Sequence, residues 1–147
     1  GTSRELMAGV GRGEVNHSGT YNSGYLSVAA AVETMKILVE ENPYPALQKN
    51  TVQLVEGLRK VGSSKGLAVD YVAGSLFQMR FGAQEPMQNR EHFAKNSDQP
   101  KLMKFLDALQ DRGVRPTSRG LFFVSVAHDE QLISRTLEIT ESALAEM

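Results

Sequence analysis

Residues His17-Ser18-Gly19-Thr20-Tyr21-Asn22-Ser23-Gly24 gather hydroxyls, small side chains and free backbone N–H groups in one loop, and a largely apolar stretch from Tyr25 to Glu41 follows directly. A loop of this kind entering a helix N-terminus suits an anion such as a phosphate. The same residue types also build an ordinary helix-entry turn, where Ser, Thr, Asn and Gly cap the first turn. On spacing alone, the ordinary turn is favoured. A second segment, Arg112 to Gly120, places arginines in a connection that leads into an apolar run. Such a connection can present a guanidinium fork to a carboxylate or phosphate, although a plain charged turn has the same composition.

The remaining chemistry-bearing residues point to little. His17, His92 and His128 are far apart and define no metal site. Asp129 reads as a helix cap rather than as a ligand beside His128, and His92 as a solvated loop residue. His17 next to Ser18 has no evident carboxylate partner for a triad. The lysines at 36, 49, 60, 65, 95, 101 and 104 fall on polar helix faces or in loops. None occupies the apolar setting that activates an amine for Schiff-base chemistry.

The elements that must position these residues follow from pattern. Helices are expected over about Tyr25 to Glu41, capped by Asn22 or Ser23 and ended by Asn42-Pro43, and over about Pro45 to Val61. Leu67 to Val72 and Ser75 to Phe81 read as strands pivoting at Gly74, with Phe77, Met79 and Phe81 alternating against Gln78 and Arg80. Gly82 to Ser97 is polar and unpatterned, a long surface loop. Asp98 and Pro100 open a helix carrying Leu102, Phe105, Leu106 and Leu109. Leu121 to Ala127 reads as a buried strand, and Asp129 caps a last helix. The expected class is α+β, a small antiparallel sheet of three to four strands covered by helices.

Bulk composition narrows the function classes. With 147 residues and 41% hydrophobic content, the chain fits one domain of ordinary size with a usable core. Its formal net charge of -1, from 16 basic and 17 acidic residues, gives no basic excess for a nucleic-acid partner. The absence of cysteine excludes thiolate and disulfide chemistry and is compatible with the expected cytoplasmic location. No apolar run reaches membrane-spanning length, so no membrane partner is expected. The N-terminus lacks an initiator Met, and Gly1 to Arg12 contains little that could nucleate a core. The chain is therefore expected to be cut from something longer.

Ser3-Arg4-Glu5-Leu6-Met7, then His17 to Asn22, then the Ala-rich stretch through Met35-Lys36-Ile37-Leu38, resemble the C-terminal part of class III pyridoxal-phosphate aminotransferases, in the branch containing glutamate-1-semialdehyde aminomutase. Gly113-Val114, Phe123 to His128, Asp129-Glu130 and Ser134 to Glu138 resemble that branch's last strand and helix. The similarity covers nearly the whole chain. It implies a fold-type I enzyme, a homodimer that uses pyridoxal 5'-phosphate on an amino acid substrate. Residues 1–24 would end the large domain and form an interface loop, and 25–147 would be the C-terminal small domain with its leading helix. In the family, the Gly-Thr loop binds the cofactor phosphate of the neighbouring subunit. Carried over, Thr20 is the phosphate ligand and Gly19 allows close approach.

The family's Schiff-base lysine lies before the segment resembling Ser3 to Met7. The chain is expected to begin after it and to be inactive alone. An arginine near the last strand holds the substrate carboxylate in several relatives, which makes Arg119 the first candidate here and Arg115 the second. Two departures bear on activity. Ser23-Gly24-Tyr25 stands where the family usually has Gly-Asn-Pro. Ser118-Arg119-Gly120-Leu121 stands, on a shorter connection, where aminomutases carry Phe-Glu-Ala, which leaves room for aminotransfer to other amino acids. The rival reading is a non-catalytic α+β interaction or regulatory domain that oligomerises through its apolar helices.

Overall fold

Local signals along the chain produce, in order, helices α1 (Arg4–Gly11), α2 (Tyr25–Glu41) and α3 (Tyr44–Gly62), a 3₁₀ turn (Ser63–Lys65), strands β1 (Leu67–Asp70) and β2 (Leu76–Phe81), helices α4 (Arg90–Lys95) and α5 (Gln99–Asp111), strand β3 (Leu121–Phe123) and helix α6 (Glu130–Ala145). The computed structural model describes residues 3–22 and 24–147. The chain divides into two compact units, Gly1–Asn42 and Pro43–Met147.

In the first unit, α1 is a helix beyond the elements expected from pattern, which began at Tyr25. The Ser3 hydroxyl accepts a hydrogen bond from the Leu6 N–H at 3.3 Å and Glu5 lies in the first turn, a favourable start for a helix. Residues 12–15 then reverse the chain, with the Glu14 and Val15 N–H groups both donating to the Gly9 carbonyl. Helix α2 has the expected bounds and stops at Asn42, whose left-handed φ of 39° precedes Pro43. None of its residues is buried; Tyr25 is 93% and Leu26 88% exposed.

The second unit holds the core. Its sheet is antiparallel, in the order β1-β2-β3, with Leu67 opposite Phe81 and Leu76 opposite Phe123. Leu54, Val55 and Leu58 of α3, Leu102, Phe105 and Leu109 of α5, and Ile133 and Leu144 of α6 pack with Phe77, Met79 and Phe81 on one sheet face. Phe77 stacks on Phe122 at 5.0 Å, and Phe81 meets Phe105 edge-on at 5.4 Å, both favourable aromatic geometries. Helices α5 and α6 begin as their sequences require, with Asp98 accepting from the Lys101 N–H and Asp129 from the Leu132 N–H.

Four expectations need correction. The first strand stops at Asp70 rather than Val72. The apolar run Leu121 to Ala127 is a strand only to Phe123; the Val124 N–H still bonds the Ser75 carbonyl in register with β2, and the chain then enters a turn closed from His128 back to Ser125. Phe123 and Val126 are consequently exposed. The polar stretch 82–97 contains α4, started by Asn89 capping the His92 N–H. Arg80, on the polar side of the strand alternation, is fully buried.

The Arg80 guanidinium binds both oxygens of Asp70, at 2.6 and 3.2 Å, and the carbonyls of Glu85 (2.8 Å) and Ala83. It thereby ties the segment after β2 onto the second sheet face. Both sheet edges are also blunted by side chains. Arg59 donates twice to the Val69 carbonyl, and the Thr117 hydroxyl bonds the N–H and carbonyl of Leu121.

Candidate functional site

The 17–22 loop has more free donors than a simple capping turn would leave. One backbone bond, from the Asn22 N–H to the Gly19 carbonyl at 3.0 Å, folds Gly19–Asn22 into a turn. Among the described residues, the N–H groups of Ser18, Gly19 and Thr20 have no backbone or side-chain acceptor. The Thr20 side chain is exposed, and His17, Ser18, Gly19 and Asn22 line a shallow open concavity.

Of the two expected caps, Asn22 makes no capping bond to α2 among the described residues. Asn22 folds its amide over Gly19, where a Cβ would lie 2.8 Å from Oδ1, and so it does not reach α2. Gly24 takes the N-cap position without a side-chain bond. Ser23, the other expected cap, lies outside the described residues. Among the described residues no side chain caps the first turn of α2, whose N–H groups form the positive end of a helix dipole. Successive free N–H groups with a neighbouring hydroxyl fit the phosphate of pyridoxal phosphate chemically.

The two arginine candidates sit in the second unit, on the connection between α5 and β3. Both are exposed, and among the described residues neither guanidinium takes part in an ion pair. Arg119 contributes its carbonyl to the Gln78 amide at 2.9 Å. Arg115 lines a concavity shared with His128, Thr117 and Thr136. Arg112, their neighbour, is a structural residue. It binds Glu146 at 2.5 Å and the Ala108 carbonyl at 2.9 Å, and the hydrogen bond to Glu146 raises its pKa above the ordinary value.

The histidines also differ from expectation in part. His92 is half-buried, not solvated. Its Nδ1 accepts from the Gln88 N–H and its Nε2 lies 3.7 Å from Glu85. His128 bonds Ser125, and no hydrogen bond joins His17 to Ser18 among the described residues. The sequence pattern gave no hint of Arg80, because a period-two strand assigns an alternate arginine to solvent; Asp70, ten residues earlier, was its only available signal. Among the described residues no helix is long and apolar enough to cross a membrane, and no cluster of acids and histidines could hold a metal ion.

The architecture, helices over a three-stranded antiparallel sheet, is that of the C-terminal portion of transaminases. An omega-transaminase from Sphaerobacter thermophilus superposes with a TM-score of 0.81 at 21% identity, over 99% of this chain and 34% of that one. A transaminase with PLP bound gives a TM-score of 0.73 at 18% identity, over 90% of this chain and 30% of that one. No family model matches the chain.

By sequence the chain is similar to part of the glutamate-1-semialdehyde 2,1-aminomutases. It is 32% identical to the glutamate-1-semialdehyde 2,1-aminomutase of Desulfatibacillum aliphaticivorans, over 100% of this chain and 35% of that protein. It is 29% identical to that of Natranaerobius thermophilus, over 99% of this chain and 34% of that protein. The chain thus spans about a third of the length of the curated relatives it matches.

Proposed function

We propose that these residues are the C-terminal part of a cytoplasmic, homodimeric, pyridoxal-phosphate-dependent aminotransferase or aminomutase acting on an amino acid. In this reading residues 1–24 end the large domain and carry the interface loop, and 25–147 form the small domain. Thr20 donates its hydroxyl and backbone N–H to the cofactor phosphate of the neighbouring subunit, and Gly19 lets that phosphate approach the backbone. When bound, the cofactor supplies an electron sink for amino transfer. Arg119 or Arg115 holds the substrate carboxylate through a bidentate guanidinium contact. The lysine that carries the cofactor lies outside these residues, so the chain alone is inactive.

The observation that carries the reading is the run of N–H groups at Ser18, Gly19 and Thr20 that have no partner among the described residues, ahead of a helix whose N-cap is a glycine. The exposed apolar α2, with Val28, Val32, Met35 and Val39 along one groove, supports a second subunit as partner. In the longer protein that carries these residues, Thr20→Val removes one hydrogen bond to a charged group. Cofactor affinity should fall about tenfold to a hundredfold, measured by titration of the cofactor's absorbance. Unchanged affinity would remove Thr20 from the phosphate site.

A further inference from the structure

We infer that the cleft along the open edge of β1, under the segment that follows β2, is a binding site for the zwitterion of a free apolar amino acid. The site is separate from the arginines between α5 and β3, and it stands whether or not the cofactor reading does.

The cavity measures about 540 Å³, within the range of ordinary small-molecule sites. Its floor is the second sheet face, where Asp70 and Gln78 stand directly opposite each other on β1 and β2. Arg59, near the end of α3, forms one wall. The other wall is the 84–93 segment, which contributes Pro86, Met87 and Phe93. That wall is fixed by the protein itself. The Gly82–Ser97 bridge and the bond from the Ala83 N–H to the Asn96 carbonyl close its base, and Arg80 holds the carbonyls of Ala83 and Glu85.

The polar groups of the lining sort into used and open. The Ser63 hydroxyl donates to the Lys60 carbonyl, and the Tyr71 hydroxyl to the Gly74 carbonyl. Arg59 places its Nε and Nη2 on the Val69 carbonyl, at 3.2 and 2.9 Å, and makes no ion pair among the described residues. Its Nη1 donors stay open. Asp70 gives one lone pair of each oxygen to Arg80, yet its side chain keeps 31% of its surface, so acceptor sites remain. Gln78 donates Nε2 to the Arg119 carbonyl at 2.9 Å, which leaves Oε1 as an acceptor. Val69 and Asp70 are consecutive. A cation bound at the carbonyl of the first therefore neighbours the carboxylate of the second.

This pairing decides the ligand class. A plain anion held by Arg59 would also face Asp70, and a plain amine held by Asp70 would also face Arg59. An α-amino acid carries both charges on one carbon, so its carboxylate meets Arg59 while its ammonium group meets Asp70 and Gln78. Its side chain then lies against Pro86, Met87 and Phe93, where an aromatic ring gains ring and sulfur contacts. L-Phenylalanine matches all three parts.

The test titrates the 147-residue chain with L-phenylalanine and follows amide NMR shifts. Saturable shifts at Val69, Asp70, Gln78 and Met87 with millimolar affinity are expected for a ligand of about a dozen heavy atoms. 3-Phenylpropanoate, which lacks the ammonium group, and phenylalaninamide, which lacks the carboxylate, should each bind at least about tenfold more weakly. Arg59→Met keeps the apolar stem and should weaken L-phenylalanine by a similar factor, with unchanged spectra away from the cleft verifying the fold. The ligand series decides the matter without any variant. No saturable shift, equal binding of either truncated ligand, shifts confined to residues 113–136, or undiminished binding to a folded Arg59→Met would overturn the inference. Neither cofactor nor turnover enters the assay, so such a failure leaves the phosphate contact at Thr20 untouched.

Discussion

Asp70→Ala isolates the interaction that most sharply separates this fold from its sequence pattern. Arg80 is 0% exposed, whereas the Asp70 side chain keeps 31% of its surface. Removing the carboxylate deletes the bonds at 2.6 and 3.2 Å and leaves a buried guanidinium with only the carbonyls of Ala83 and Glu85. Breaking a fully buried pair in this way costs about 3–5 kcal/mol. Water can reach the Asp70 side, so the expected loss here is about 2–4 kcal/mol. In urea, with a slope of about 2 kcal/mol per molar, the midpoint should drop by about 1–2 M, followed by far-UV circular dichroism.

The control is Glu91→Ala, which breaks the exposed Lys95–Glu91 pair of the same unit at 2.8 Å and should change stability by about 0–0.5 kcal/mol. The double variant Asp70→Val with Arg80→Met should not restore stability, since the Ala83 and Glu85 carbonyls would lose their donor. If Asp70→Ala falls within about 0.5 kcal/mol of the Glu91→Ala control, the reasoning about the buried guanidinium is wrong.

Two further perturbations test other parts of the structure. Gly120 has φ 69° and a Cβ there would lie 2.5 Å from the Met79 carbonyl oxygen, so Gly120→Ala should cost at least about 2 kcal/mol in urea unfolding; a neutral result would contradict the close approach. The hydrogen bond from Arg12 holds the Glu14 carboxyl below the usual carboxylate range. The pairing is therefore fully present above the unfolded-state value and is lost as pH falls through the depressed one. Arg12→Ala should move the Glu14 midpoint upward in an NMR titration, and an unmoved midpoint would exclude the pair as the cause.

Periodicity located α2, α3, α5 and α6 because each carries its apolar stripe and stop signal in a few consecutive residues. Asn42-Pro43 and the Asp98 and Asp129 caps act locally and were legible for that reason. The apolar run from Leu121 to Ala127 was not, since the chain leaves the sheet at a turn, closed by the His128 N–H on the Ser125 carbonyl, that falls inside the run. The burial of Arg80 likewise depends on Asp70 and on carbonyls beyond β2, which no pattern within one strand contains. At the candidate site, the residue types in the 17–22 loop suited an anion cradle or a cap, with the ordinary turn favoured on spacing. The turn from Asn22 to Gly19 draws the Asn22 amide away from α2, and the N–H groups of Ser18, Gly19 and Thr20 have no partner among the described residues. The pocket around Arg115 needed three elements to meet, so the sequence showed its arginine and not its walls.

The central claim is that these residues supply a phosphate contact and no cofactor-bearing lysine. Borohydride reduction of the purified chain with pyridoxal phosphate, followed by peptide mass mapping and an amino-transfer assay, tests it most directly. The account predicts no stoichiometric pyridoxyl label at lysines 36, 49, 60, 65, 95, 101 or 104 and no turnover. A stoichiometric label at one of these lysines, with turnover by the chain alone, would contradict it.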